Sequence, residues 1–102
     1  MKRPTSIRVW EPAPRAETGK KTNWKVTGQQ LPRNQHEYKY GYVVWGDREI
    51  LIHKFLSDEE FASSLIHEAL HITYPFLGED EILRGEWTIF QLLRKLGIFE
   101  EE

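Results

Sequence analysis

The chain has 102 residues, 29% charged and 39% hydrophobic, with a net charge of −2 and no cysteine. This length supports one modest core and no second lobe, and the missing thiols exclude disulfides, thiolate metal sites and cysteine nucleophiles together. No apolar run approaches the roughly 18 residues of a membrane span, and Met1-Lys2-Arg3-Pro4-Thr5 leads into no signal-like apolar core, so a cytoplasmic protein is expected.

Charge is divided unequally. Residues 1–50 hold ten Lys/Arg against five Asp/Glu, and residues 51–102 hold four against eleven. A basic half can attract nucleic acid or an acidic partner, although attraction between the halves within one fold is the simpler account. The first 36 residues are rich in Pro, Gly, Asn, Gln and Lys. Within them Ile7-Arg8-Val9-Trp10 and Trp24-Lys25-Val26 alternate apolar with polar residues, which predicts two short strands joined by a loop over 11–21.

Residues 37–55 read as a β-hairpin. Glu37-Tyr38-Lys39-Tyr40-Gly41-Tyr42-Val43-Val44-Trp45 is aromatic and β-branched, and Arg48-Glu49-Ile50-Leu51-Ile52-His53-Lys54 follows after Gly46-Asp47. A two-residue type II′ turn is expected there, with Gly46 supplying the positive φ.

Ser57-Asp58-Glu59-Glu60 is a capping box and opens a helix over 57–74. Ala62, Leu65, Ile66, Ala69 and Ile72 form its expected core stripe, with Glu60, Ser64, His67, His71 and Tyr74 on the other side. Pro75-Phe76-Leu77-Gly78 turns the chain, and Glu79-Asp80-Glu81 starts a second helix over 79–97, with Gly97 just past its last turn. Its apolar residues Ile82, Ile89, Phe90, Leu93 and Leu96 keep helical spacing, and the short connection makes the helices an antiparallel pair. The fold expected is α+β in a single domain over 1–102: a small N-terminal antiparallel sheet packed on a helix pair.

The first helix carries His67-Glu68-Ala69-Leu70-His71. Histidines four apart lie one turn apart on one face, a spacing that lets two neutral imidazoles reach one ion at roughly 2.0–2.1 Å. Glu68, beside the first histidine, is placed to take a proton from a metal-activated water and pass it to a leaving group. Position 86 falls in the middle of the second helix's apolar stripe and holds a glutamate, which on a face packed against histidines needs a cation or partner. Glu86 is therefore the favoured third ligand and Glu79 its rival. Two His, one Glu and one open water position make a catalytic zinc site, and Tyr74 or His53 are the candidates to stabilise an oxyanion.

Over roughly residues 40–97 the chain resembles compact zincin-like metallopeptidases, the small one-domain HExxH proteins of phage and bacterial genomes. The resemblance implies that His67 and His71 bind zinc, that Glu68 is the catalytic base and that a downstream helical glutamate, matching Glu86, completes the site. By the same analogy Ile50-Leu51-Ile52-His53 would be the edge strand that pairs with an extended peptide or protein substrate. A zinc-dependent endopeptidase is the leading expectation. A metal-binding or interaction protein without protease activity, or one associated with nucleic acid, is the alternative.

Overall fold

Alternation in the N-terminal half produces four strands, and the capped, acidic-start segments of the C-terminal half produce two helices. The computed structural model describes residues 2–12, 19–30 and 40–99. Its elements run β1 (Ser6–Glu11), β2 (Lys20–Gln29), β3 (Gly41–Val44), β4 (Glu49–His53), α1 (Asp58–Thr73) and α2 (Glu79–Lys95). This is an α+β fold in which the sheet precedes the helices.

The sheet order is β1-β2-β4-β3. It is mixed rather than wholly antiparallel, because β2 and β4 run parallel, with Val26 opposite Ile50. At ten residues β2 far exceeds the short strand that Trp24-Lys25-Val26 suggests. Its polar ends are extended because β1 pairs with it on one side and β4 on the other. The segments 13–18 and 31–39, and with them much of the expected loop and residues 37–39 of the expected hairpin, lie outside the described residues.

β3 and β4 do form an antiparallel hairpin, with Val44 opposite Glu49. Four residues rather than two make its turn, and the positive φ of 47° falls on Arg48, not Gly46. Arg48 donates its N–H to the Trp45 carbonyl at 3.2 Å. Its guanidinium reaches across to Glu11 at 3.0 Å, an anchor outside the hairpin that local sequence does not reveal.

The core lies between the sheet and α1. Val9, Trp24, Val26, Ile50, Ile52, Leu56, Phe61 and Ile72 form one buried cluster, with Ile7, Val43 and Leu65 packed against it. The buried Trp24 indole donates to Thr22, whose hydroxyl donates to Glu11, so its polar atom is satisfied. Fully burying Ile50 and Ile52 contributes roughly 1.5–3 kcal/mol each. The half-exposed Arg3–Asp58 ion pair at the start of α1 is screened by solvent and adds little. Apolar packing therefore sets the orientation of α1, and the ion pair only trims it.

Helix α1 is capped as its sequence predicts. Ser57 accepts from the Glu60 N–H, and the Glu60 side chain accepts from the Ser57 N–H, a pair of bonds contributing about 1 kcal/mol. The buried residues of α1 are Phe61, Ser64 and Ile72, while Ala62, Ile66 and Ala69 of the expected core stripe are only half-buried. The reason is that α1 is sandwiched: it packs on β1, β3 and β4 on one side and on α2 on the other. Almost the whole circumference from Ala62 to Thr73 is partly covered.

Among the described elements, helix α2 packs on α1 alone. The pair is antiparallel, as the successive contacts Glu59–Arg94, Ser63–Glu86 and His71–Glu79 require. Of its apolar stripe only Ile82 is buried; Ile89 and Leu96 are exposed. The helix ends at Lys95 in a Schellman arrangement, with Gly97 at φ 75°, the Gly97 N–H on the Arg94 carbonyl and the Ile98 N–H on Leu93.

Candidate metal centre

Successive residues of a helix turn by about 100°, so His67 and His71 share one flank of α1 while Glu68 is rotated toward the sheet. That flank opens into a cavity of about 750 Å³ walled by α1, by β3 and by Glu79, Leu83 and Glu86 of α2. This volume falls within the usual range for ligand sites.

Three side chains converge in it. The Nε2 atoms of His67 and His71 are 3.1 Å apart. Glu79 spans both, with Oε1 2.7 Å from His67 Nε2 and Oε2 3.1 Å from His71 Nε2. One ligand atom from each of these residues lies within 4.8 Å of the others, so the group can hold a metal ion. Tetrahedral ligands about 2.0–2.1 Å from zinc stand about 3.3 Å from one another, so these separations need only a small expansion.

Glu86 is not among those atoms. It lies on the opposite side of the His67 ring, where Oε2 is 3.1 Å from Nδ1 and Oε1 accepts from the Ser63 hydroxyl. The structure thus gathers Glu79, the rival candidate, with the two histidines and places the favoured one behind them. The physical reason is reach. Position 79 starts α2 directly after the turn and meets the C-terminal end of α1, whereas position 86 is two turns further on and meets Ser63 and His67. A carboxylate on Nδ1 fixes the ring and leaves Nε2 with the lone pair that a metal needs.

Glu86 and Ser63 shape the electrostatics. The Glu86 hydrogen bond, joined by the charges of Glu79, Glu86 and Glu68, lifts His67 above its ordinary value of 6.5 against the opposing effect of burial. Burial alone would raise the Glu86 carboxyl, but its bonds to His67 and Ser63 outweigh that and hold it below 4.5. A raised histidine contributes stability that is fully present below pH 6.5 and is lost as pH rises through its folded value. A depressed carboxylate contributes stability that is present above pH 4.5 and is lost as pH falls through its folded value. Metal-free protein is therefore expected to owe this pair its largest stabilisation between pH 4.5 and 6.5. Thermal unfolding across pH 3–9 checks this. Glu86→Gln should flatten the profile on both sides of the window, and a variant profile parallel to the wild type would refute the assignment.

Glu68 lines the same cavity, on its sheet side. A Cβ on Gly41 would stand 3.2 Å from Glu68 Cγ and 3.0 Å from the Leu51 carbonyl oxygen, so glycine is what lets this side chain lie against β3. β3 is the outer strand of the sheet on this side. Ile50-Leu51-Ile52-His53, expected at the edge, is instead interior, hydrogen-bonded to β2 and β3. The apolar character that marked it as a substrate strand reflects burial, since Ile50 and Ile52 are fully enclosed.

Neither expected oxyanion donor reaches the cavity wall. His53 Nδ1 accepts from the Phe55 N–H at 3.3 Å, and Tyr74 stands edge-on to Phe76 at 6.2 Å. Two tyrosines line the wall, Tyr40 just before β3 and Tyr42 within it, the latter sharing the face of Leu51 rather than that of Val43. Their strand position was readable from sequence, but the packing of β3 beside α1 was not.

The fold and site together define an α+β protein with a His/His/Glu group where two helices meet the edge of a mixed sheet. No protein-family model, curated protein or solved structure matches the chain. No helix among the described residues is long and apolar enough to cross a membrane.

Proposed function

We propose that the chain is a zinc-dependent metallopeptidase of zincin-like type, acting as an endopeptidase on peptide or protein substrates in the cytoplasm. The observation that carries this reading is the convergence of His67, His71 and Glu79 within 4.8 Å in a cavity that Glu68 also lines. Two neutral imidazoles and one carboxylate are the donor set of a catalytic rather than a structural zinc site. Bound there, zinc would supply Lewis acidity, lowering the pKa of a water toward 7 and polarising a peptide carbonyl.

The chain's own residues do the rest. Glu68 takes the proton of the attacking water and returns it to the departing amide nitrogen. Glu86 and Ser63 hold the His67 ring in orientation. The outer edge of β3 pairs with the main chain of an extended peptide and lays its scissile bond along the cavity. Tyr40, at the head of that strand, supplies a hydrogen bond for the carbonyl oxygen as it gains charge.

The test is hydrolysis of a panel of unfolded proteins, with fragments read by mass spectrometry. Cleavage is expected with zinc present, is expected to stop on chelation and to return when zinc is restored. Zinc bound at about one per chain with no cleavage of any substrate would leave a non-proteolytic metal-binding protein.

A further inference from the structure

The sheet has a second face that the site does not use. Along β1 and β2, Val9, Trp24 and Val26 point toward α1, so strand alternation turns Arg8, Trp10, Lys21, Asn23 and Lys25 the other way. The register sets them side by side, with Trp10 opposite Lys21 and Arg8 opposite Asn23. All five are exposed, and no described element packs on them. An antiparallel pair facing water usually presents short polar residues there, and a tryptophan left 46% exposed among cations is the departure. The indole is also positioned: a Cβ on Gly19 would come within 2.8 Å of Trp10 Nε1, so the Nε1 edge of the ring lies against the Gly19 backbone.

Charge is polarised in the same sense. β1 and β2 carry four basic side chains against one acidic, and that acid, Glu11, is taken up by Arg48 and Thr22. Of the four, Arg8, Lys21 and Lys25 share the outer face, where Glu49 of β4 stands opposite Lys25 with its carboxylate accepting from the Thr27 hydroxyl. The two helices carry eight acidic side chains against three basic. A polyanion is therefore drawn to the outer sheet face and repelled from the helical side that holds the candidate metal centre.

We propose that this face of β1 and β2 binds single-stranded nucleic acid, with Arg8, Lys21 and Lys25 along the phosphate backbone and a base stacked on Trp10. A flat row of cations around one exposed aromatic is the arrangement that sequence-tolerant single-strand binding uses, because every base offers a π face. An acidic peptide or an anionic membrane would satisfy the cations but leaves Trp10 without a role. The proposal is independent of the metallopeptidase reading.

The experiment is fluorescence anisotropy of a labelled oligothymidylate with the 102-residue chain over a salt series. Binding is expected at low salt, with log K falling against log salt at a slope of about −2 for three phosphate contacts. Lys21→Glu with Lys25→Glu should weaken it at least tenfold and flatten the slope. Trp10→Ala should weaken it about tenfold without changing the slope, and Trp10→Phe should restore most of the loss. Arg94→Glu with Lys95→Glu on α2 should leave it unchanged. Far-UV circular dichroism checks each variant, and Lys21→Gln with Lys25→Gln serves if the reversed pair does not fold. Absence of binding at low salt overturns the proposal. So does equal loss in the α2 variant, or full competition by polyglutamate or anionic vesicles together with an unaffected Trp10→Ala.

Discussion

Glu68→Gln should leave zinc binding intact and lower the rate of peptide hydrolysis by about 10²–10⁴-fold. The substitution keeps the shape of the side chain that rests against Gly41, so the packing of α1 on β3 survives. It also spares the convergent group, which is built from His67, His71 and Glu79. In the proposed mechanism, what it removes is basicity beside the attacking water. Because that proton transfer belongs to the transition state and not to the bound substrate, kcat should fall while KM stays near its wild-type value. An unchanged kcat would remove Glu68 as general base. A parallel loss of zinc would mean that its carboxylate belongs to the ligand set instead.

The second large effect separates the two glutamates. His67→Ala and Glu79→Ala should each take bound zinc from about one per chain to near zero, because each deletes a donor from a set that has only three. Glu86→Ala should weaken zinc by about 10–100-fold without abolishing it, the usual cost of losing a group that orients a ligating histidine. Metal analysis of dialysed protein beside a competition titration gives both readings. Zinc retained in Glu79→Ala but lost in Glu86→Ala would reverse the roles assigned to them. Zinc retained in His67→Ala would dissolve the centre altogether.

What the sequence conveyed and what it withheld divide along the range of the interactions concerned. The capping box at Ser57, the span of α1 and the Schellman end at Gly97 depend on residues within a turn of one another, and all were legible. The parallel pairing of β2 with β4 depends on contacts more than twenty residues apart, and the polar flanks of Trp24-Lys25-Val26 gave no sign of it. The hairpin turn went astray for a related reason. Gly46 offers positive φ at no cost, but Arg48 adopts it, anchored by an ion pair to Glu11 on another strand.

The candidate site shows the same boundary. A glutamate in an apolar stripe was correctly read as needing a partner, and Glu86 has one in His67. Spacing along a helix could not tell which ring nitrogen it would meet, and that single choice decides between ligand and orienting group. The surroundings of Glu68 depend on a strand that no short-range pattern locates beside α1, so the walls contributed by Tyr40 and Tyr42 emerged only in three dimensions.

The docking of α2 on α1 alone carries a consequence for how the centre works. Glu79 sits in the first turn of this helix, which has no strand beneath it and only Ile82 fully enclosed. An ion held jointly by α1 and by that turn would act as a clasp between a firmly seated element and a loosely seated one. Metal affinity and helix docking then become one equilibrium. A hundredfold excess of free ion over its dissociation constant adds about 2.7 kcal/mol to the closed arrangement. The cleft would then be held closed more firmly by the same ion that gives it chemistry.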